Sequence, residues 1–306
     1  MAITVDDLPY APGTANVSEG SATAEIVNGK LLTAFSRHHA PVTGFVIQKR
    51  VEAIGFASGT RILEEWVNHG FDLGNHTYSH LDSNDLSPDQ IEQDVVRGES
   101  TLKSLMNKAG KKPEFFRFPM NHTGDTKAKH DRIAAFLSNR GYRLATCTID
   151  NSDYLFNDAY VRMLAVNDNG AARRLRIEYL AYTSAEIDYY AALSKQVLGY
   201  EPPQVMLLHV NRLNADVIEQ LLTLFEEKKY RFVSLAAAQS DAAYRTPDTY
   251  ITKYGPMWGY RWAKERNIKV NGSLEPDPPK WILEYGERAQ IYSTPPRSRS
   301  RVTVVL

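Results

Sequence analysis

Apolar and polar positions along the chain follow two rhythms, short apolar runs and longer stretches of helical spacing. Runs at 2–5, 42–47 and 71–75 are apolar over a few positions and bounded by Gly, Pro, Asn or Asp, which predicts buried strands. Runs at 114–118, 143–149, 205–210 and 231–235 complete the strand list. Amphipathic stretches at 22–39, 61–69, 88–109, 131–139, 158–172, 184–198 and 215–228 separate them and are predicted as helices. In 88–109, Ile91, Val95, Leu102 and Leu105 mark one face. Ser87 precedes Pro88, and Gln90 stands three residues after Ser87, the pattern of a capped helix with proline at its first position.

Strand–helix alternation repeated about seven times predicts parallel strands joined by crossover helices. No Gly-, Pro- or Ser-rich linker divides the chain. The expected fold is therefore α/β, a single deformed (β/α) barrel of about seven parallel strands over residues 1–245. An open doubly wound sheet is the alternative. After about Thr246 the composition changes, as Pro247, Pro256, Pro276, Pro278, Pro279, Pro295 and Pro296 crowd in with Trp258, Trp262 and Trp281. Residues 246–306 are expected to form an extension wrapped over the barrel. Its tryptophans would serve packing before sugar binding.

Composition narrows the class of function. Lys plus Arg equals Asp plus Glu at 36 each, which argues against a protein that grips nucleic acid through its phosphates. The one local bias, Arg297 to Arg301, reads as a chain end and not as a binding arm. No run reaches the roughly 18 apolar residues of a membrane-spanning helix. Cys147 is the only cysteine, so an intrachain disulfide and a cysteine-rich zinc site are both excluded.

The unusual polar residues fall at strand ends. Asp6-Asp7 follow the first strand, His76-Thr77-Tyr78-Ser79-His80 the third, and Arg117-Phe118-Pro119 closes the fourth. Asp150-Asn151-Ser152-Asp153-Tyr154 ends the fifth, and His209 ends the apolar run from Val205. In a barrel the strand C-termini share one mouth, where catalytic groups gather. Two imidazoles four residues apart plus a carboxylate from another strand end can hold a metal ion with positions left open for water and substrate. Adjacent aspartates on a regular strand would point to opposite faces, whereas a turn at its end can bring both to the mouth. Taken singly each cluster has a plainer reading: a turn-capping Asp pair, loop histidines, a core histidine at 209, structural ion pairs for Arg117 and Asp153. His122 and Asp125 read as loop residues, Asn211 and Arg212 as possible substrate contacts, and Cys147 as a buried structural residue.

Together these segments resemble the five motifs of the polysaccharide deacetylases (NodB-homology, carbohydrate esterase family 4). Thr4-Val5-Asp6-Asp7-Leu8-Pro9 is similar to the first, His76 to His80 to the second, Arg117-Phe118-Pro119 to the third, Asp150 to Tyr154 to the fourth, and Leu207-Leu208-His209 to the fifth. They stand in the family's order. Val5, Leu8 and Tyr154 depart from the usual aromatic, glycine and tryptophan, and none of these changes removes a reactive group. The resemblance implies Asp6 as general base, Asp7, His76 and His80 as ligands of one divalent ion (zinc, or cobalt, nickel or manganese), and His209 as general acid. It further implies that Arg117 holds Asp6, that Asp153 orients His209, that the Met120 amide helps hold the oxyanion, and that Tyr154 and Leu207 shape the acetyl pocket.

The implied activity is deacetylation of an N-acetylated sugar, chitooligosaccharide or peptidoglycan-like. Esterase action on an O-acetylated polymer such as xylan, or hydrolysis of a small non-sugar amide, would use the same groups. A non-catalytic binding module would have lost a base, ligand or acid, and here every such position is filled. The segment 157–203 exceeds the family's minimum and is expected to reshape the groove. The family is usually exported, so an extracytoplasmic location is expected although residues 1–5 carry no basic or apolar leader. Oligomeric state is not legible.

Overall fold

β1 (Ala2–Leu8) is buried along its whole length and is the centre from which the sheet grows in the computed structural model, which describes residues 1–13 and 20–287. It pairs in parallel with β2 (Val42–Val46) on one side and with β7 (Val205–His209) on the other. Beyond β2 lie β3 (Asp72–Asn75), β4 (Phe115–Phe116) and β5 (Arg143–Leu144), and beyond β7 lies β6 (Ile149–Asp150). All seven strands run parallel, as crossover helices require, and curl into the expected deformed (β/α) barrel. Both faces are covered by helices, so the strands are apolar without alternation.

The strand list differs from expectation at two places. The run 143–149 is not one strand: its first two residues pair with β4, while Ile149–Asp150 pairs with β7. Residues 145–148 thus cross between the two edges of the sheet, and the barrel seam lies there. Side chains satisfy the seam's backbone, with Thr146 N donating to Gln239 Oε1 at 3.1 Å and Gln239 Nε2 to Leu144 O at 2.9 Å. Residues 231–235 do not join the sheet. They run past the start of β1, where Val233 N donates to Met1 O at 3.0 Å, and then Ser234 caps a short helix, Leu235–Ala238.

Two helices also differ. The capping box of Ser87 and Gln90 forms as expected, but the helix stops at Arg97 and a second runs over Ser100–Lys108. Gly98 explains the break: a Cβ there would lie 2.7 Å from both Asn75 Oδ1 and the Thr77 carbonyl carbon, so the chain is pressed against the segment carrying His76. In the long insertion, Asp153–Ala165 is followed by a single 30-residue helix, Asn169–Leu198. The break comes at Asn167, whose φ is 56°, with Asp168 capping the next helix through Ala171 N.

The described residues after 246 pack on the barrel's helices. Trp258, Trp262 and Ile282 are buried in the same core as β1, and Trp281 Nε1 donates to Glu178 Oε2 at 2.7 Å. Three tryptophans are thus committed to packing. The arginine run 297–301, with Pro295 and Pro296, lies outside the described residues. Among the described residues no helix is long and apolar enough to cross a membrane.

Gly98 and Gly29 make a paired test of this packing. Gly29 sits inside helix Ser21–Arg37 with nothing within 4 Å of an added Cβ. Urea unfolding should show Gly29→Ala stabilising by about 0.5–1 kcal/mol and Gly98→Ala destabilising by about 1–3 kcal/mol. Equal effects would show that Gly98 is no point of close contact.

Candidate active site

The first motif solves the problem of two adjacent aspartates with a bulge. The β1–β2 register shifts between Val5 and Leu8, and Asp7 takes a φ of 75°. An extra residue in a bulge re-aims a side chain that regular pleating would send away. Asp6 stays in register with His209 on the neighbouring strand. Residues paired in a parallel ladder share a face, so these two side chains reach the same mouth.

Asp7 meets the second motif. Its Oδ1 lies 3.3 Å from His80 Nε2 and 3.6 Å from His76 Nε2, and the three ligand atoms lie within 4.8 Å of one another. His76 Nδ1 sits 2.8 Å from the Arg117 carbonyl, to which it donates, leaving the Nε2 lone pair free to face Asp7. Thr77 and His80 hold the turn with φ values of 67° and 57°, and His80 N donates to Thr77 Oγ1 at 3.0 Å.

These residues fit a divalent cation. Asp7 Oδ1 is buried and accepts no hydrogen bond among the described residues. Burial lowers the pKa of both imidazoles, that of His80 to about 4, so they are neutral and able to ligate. Burial opposes the charge of Asp7, yet the Arg50 guanidinium at 3.1 Å, with the cationic His209 adding, outweighs it and holds the carboxyl well below its usual range. Arg50 was not foreseen. A lone arginine on the helix Gln48–Ala53 carries no pattern, although its Nη1 also ties down the Tyr10 carbonyl at 3.0 Å.

Arg117 is fully buried and joins several parts of the site. Nη1 donates to Asp6 Oδ1 at 2.7 Å and to Thr4 Oγ1 at 2.8 Å, while Nε and Nη2 reach the seam carbonyls of Ala145 and Thr146, each at 3.4 Å. The guanidinium carbon stands 4.4 Å from the centre of the Phe45 ring.

His209 is held by an equally buried carboxylate. Asp153, at the positive end of helix Asp153–Ala165, accepts from His209 Nδ1 at 2.6 Å and from the His209 backbone N at 2.7 Å. Asn211 Nδ2 donates to it at 3.1 Å, and Asn214 Nδ2 donates as well. Behind these stands the long insertion helix: Tyr179 OH donates to Asn214 Oδ1 at 2.7 Å and accepts from Asn151 at 2.7 Å. The insertion therefore braces the His209–Asp153 pair, and Asn157 and Asp158 at its start border the cavity. Burial pulls the His209 pKa down, but the charge and hydrogen bond of Asp153, with Asp7 and Asp6 adding, raise it to about 10.

One cavity of about 500 Å³ gathers the constellation. Asp6, Asp7, His76, His80, Met120, Tyr154, Leu207 and His209 line it, whereas Arg117 and Asp153 stand behind it in contact with the liners. Tyr154 lies edge-on to His209 with ring centres 6.1 Å apart. Asp150, raised to about 6 by burial, also borders the cavity and accepts from Ser152 N. His122 lines it while paired with Asp82 at 2.8 Å. Asp125 pairs with Lys129, and Cys147 is buried. Asn211 faces the cavity, but its side chain is engaged in capping helix Arg212–Glu227 and in holding Asp153.

The polysaccharide deacetylase family model matches residues 1–141, the stretch holding the first three motifs. Two peptidoglycan-N-acetylglucosamine deacetylases of Bacillus cereus are similar to it. One is 26% identical over 130 residues, covering 38% of this chain and 59% of the relative, and the other is 23% identical over 125 residues, covering 41% and 40%. The chain thus spans about half the length of these curated relatives. A CE4 family pseudoenzyme from Bacillus anthracis shares the fold at 14% identity, with a TM-score of 0.51 over 78% of this chain and 64% of that one. A mutant of a CE4 pseudoenzyme with restored enzymatic activity matches at 15% identity and a TM-score of 0.52, over 78% and 66%.

The raised pKa of His209 has a signed consequence. Because the folded value exceeds the ordinary 6.5, the pair with Asp153 stabilises the fold fully below pH 6.5, and this contribution is lost as pH rises through about 10. NMR titration of the metal-free protein should place the His209 ring well above the ordinary imidazole value of 6.5. Asp153→Asn should bring it down by about 1–3 units. An unmoved midpoint would mean that Asp153 does not set the charge of this imidazole.

Proposed function

We propose that the protein hydrolyses the acetamide of an N-acetylated sugar, of the chitooligosaccharide or peptidoglycan type. The observation that carries this reading is convergence: a carboxylate, a three-residue ligand set and a cationic histidine open into one cavity from different strand ends. The names of the two curated relatives favour N-acetylglucosamine as the sugar. Such a polymer lies outside the cytoplasm, so we place the activity there.

One divalent ion, zinc or else cobalt, nickel or manganese, would be held by Asp7 Oδ1, His76 Nε2 and His80 Nε2. When bound it would supply a Lewis acid for the acyl carbonyl and a lowered pKa for water. Asp6 takes the proton of the attacking water, fixed in aim by its bond to Arg117. The Met120 amide donates to the acyl oxygen as that oxygen gains charge. An amine leaves poorly unless protonated, and His209 supplies that proton from Nε2, since Nδ1 is occupied by Asp153. Tyr154 and Leu207 border the space for the acetyl methyl. A non-catalytic reading has no support from the residues, because base, ligands and acid are all in place.

Acetate release from chitin oligomers, peptidoglycan, acetylxylan and an aryl acetate, read beside metal content, tests this. Wild type should release acetate from the N-acetylated polymers and carry about one ion per chain. Asp6→Asn should keep the ion and lose about 10²–10⁴-fold in rate, whereas Asp7→Asn should lose the ion first. Metal loss in both variants alike would reject the division of roles, and release from acetylxylan alone would make the protein an esterase.

A further inference from the structure

Residues 118–123 carry the Met120 amide on an improbable backbone. Met120 and Asn121 both lie in the left-handed region, with φ of 52° and 55°, and neither is glycine. Consecutive residues in that region persist only when their surroundings over-determine them. The turn's own bonds, Asn121 N to Phe118 O and His122 N to Pro119 O, are few. Ser83 Oγ donates to His122 O at 2.6 Å, and the rest of the support for Met120 and Asn121 comes largely from far along the chain, outside the segment the family model matches.

Arg261, on the helix Trp258–Glu265, is buried to 2% exposure and reaches the back of this turn. Its Nη2 donates to Asn121 O at 3.2 Å and its Nη1 to Thr123 Oγ1 at 3.1 Å. Nη1 also pairs with Asp248 at 2.7 Å, and Nε donates to Pro256 O at 3.3 Å, so the guanidinium is fixed from its own side as well. The ring of Trp258 stacks on it with the guanidinium carbon 4.7 Å from the ring centre. A second contact comes from Gly255, where an added Cβ would stand 1.9 Å from the Met120 carbonyl oxygen. Only glycine allows the chain so near. Gly255 and Met257 also line the catalytic cavity.

We propose that Arg261 and Gly255 are positioning residues that set the aim of the Met120 amide, which makes the 248–261 stretch a working part of the acyl-binding site. This rests on the deacetylase reading, in which that amide faces the developing oxyanion. Asn121 O and Met120 O are the two carbonyls that follow the amide along the turn. Clamping one and backing the other fixes the dihedrals on which the direction of the N–H depends.

Arg261→Met, Arg261→Lys and Gly255→Ala, measured as full chains, test the proposal. With an N-acetylated substrate that wild type turns over, each should lower kcat by about 10–100-fold, a part of the loss seen when an oxyanion donor is removed. For Arg261→Met and Arg261→Lys, KM and zinc affinity by calorimetry should stay within about threefold, because Arg261 is neither a ligand nor a lining residue of the cavity. Arg261→Lys should recover part of the loss, since it keeps the charge facing Asp248, and it serves if Arg261→Met fails to fold. Amide hydrogen exchange in a peptide spanning 117–123 should quicken by about tenfold or more. A purely structural role would lower the melting temperature and leave kcat unmoved in the folded variants, and that result overturns the proposal. Wild type that releases no acetate would remove the deacetylase reading instead, while unchanged exchange at 117–123 would still overturn the clamp.

Discussion

The buried guanidinium of Arg117 is the interaction on which the rest of the molecule depends. A fully buried charge is tolerable only when its donors are engaged and an opposite charge lies within reach. Here the engagement is shared between two tasks. Two donors reach the carbonyls of the barrel seam, where the sheet has no strand to close it, and a third holds Asp6 at the mouth. The same residue's carbonyl fixes the tautomer of His76. Closing the fold and aiming Asp6 are therefore one act, and neither can be altered alone.

The remaining site falls into two halves with separate supports. The half formed by β1 and the turn after β3 stores strain: Asp7, Thr77 and His80 all have positive φ, and Gly98 presses on Thr77 from behind. Such strain persists where packing over-determines it. The half around His209 is a relay of hydrogen bonds instead, from the insertion helix through Tyr179 and Asn214 to Asp153 and then to the imidazole. The segment beyond residue 141 thus supplies His209 and the hydrogen bonds that hold its imidazole.

Much of this was legible in the sequence because it rests on local chemistry. The apolar runs, the Ser87–Gln90 capping box and the polar clusters at strand ends all follow from residue type and spacing. What escaped depends on contacts between distant parts. The run 143–149 looks like one strand, and only the curl of the sheet decides that its ends serve opposite edges. The periodicity of 88–109 continues through Gly98, and only the nearness of Thr77 breaks the helix. The break in the insertion is different, since Asn167-Asp168-Asn169-Gly170 is a turn-and-cap signal within the sequence itself. Arg50 and Asn214 left no local trace, since each acts only by touching Asp7 or Asp153 across the fold.

A double-mutant cycle between Arg117 and Asp6, read as unfolding free energy of the metal-free protein, tests the dependence most directly. Arg117→Met alone leaves Asp6 buried without its partner and should cost about 3–5 kcal/mol. Adding Asp6→Asn removes the stranded charge, so the double variant should recover enough to give a coupling of about 2 kcal/mol or more. Additive losses, with coupling below about 0.5 kcal/mol, would mean that the guanidinium serves the seam and Asp6 independently and would contradict the account.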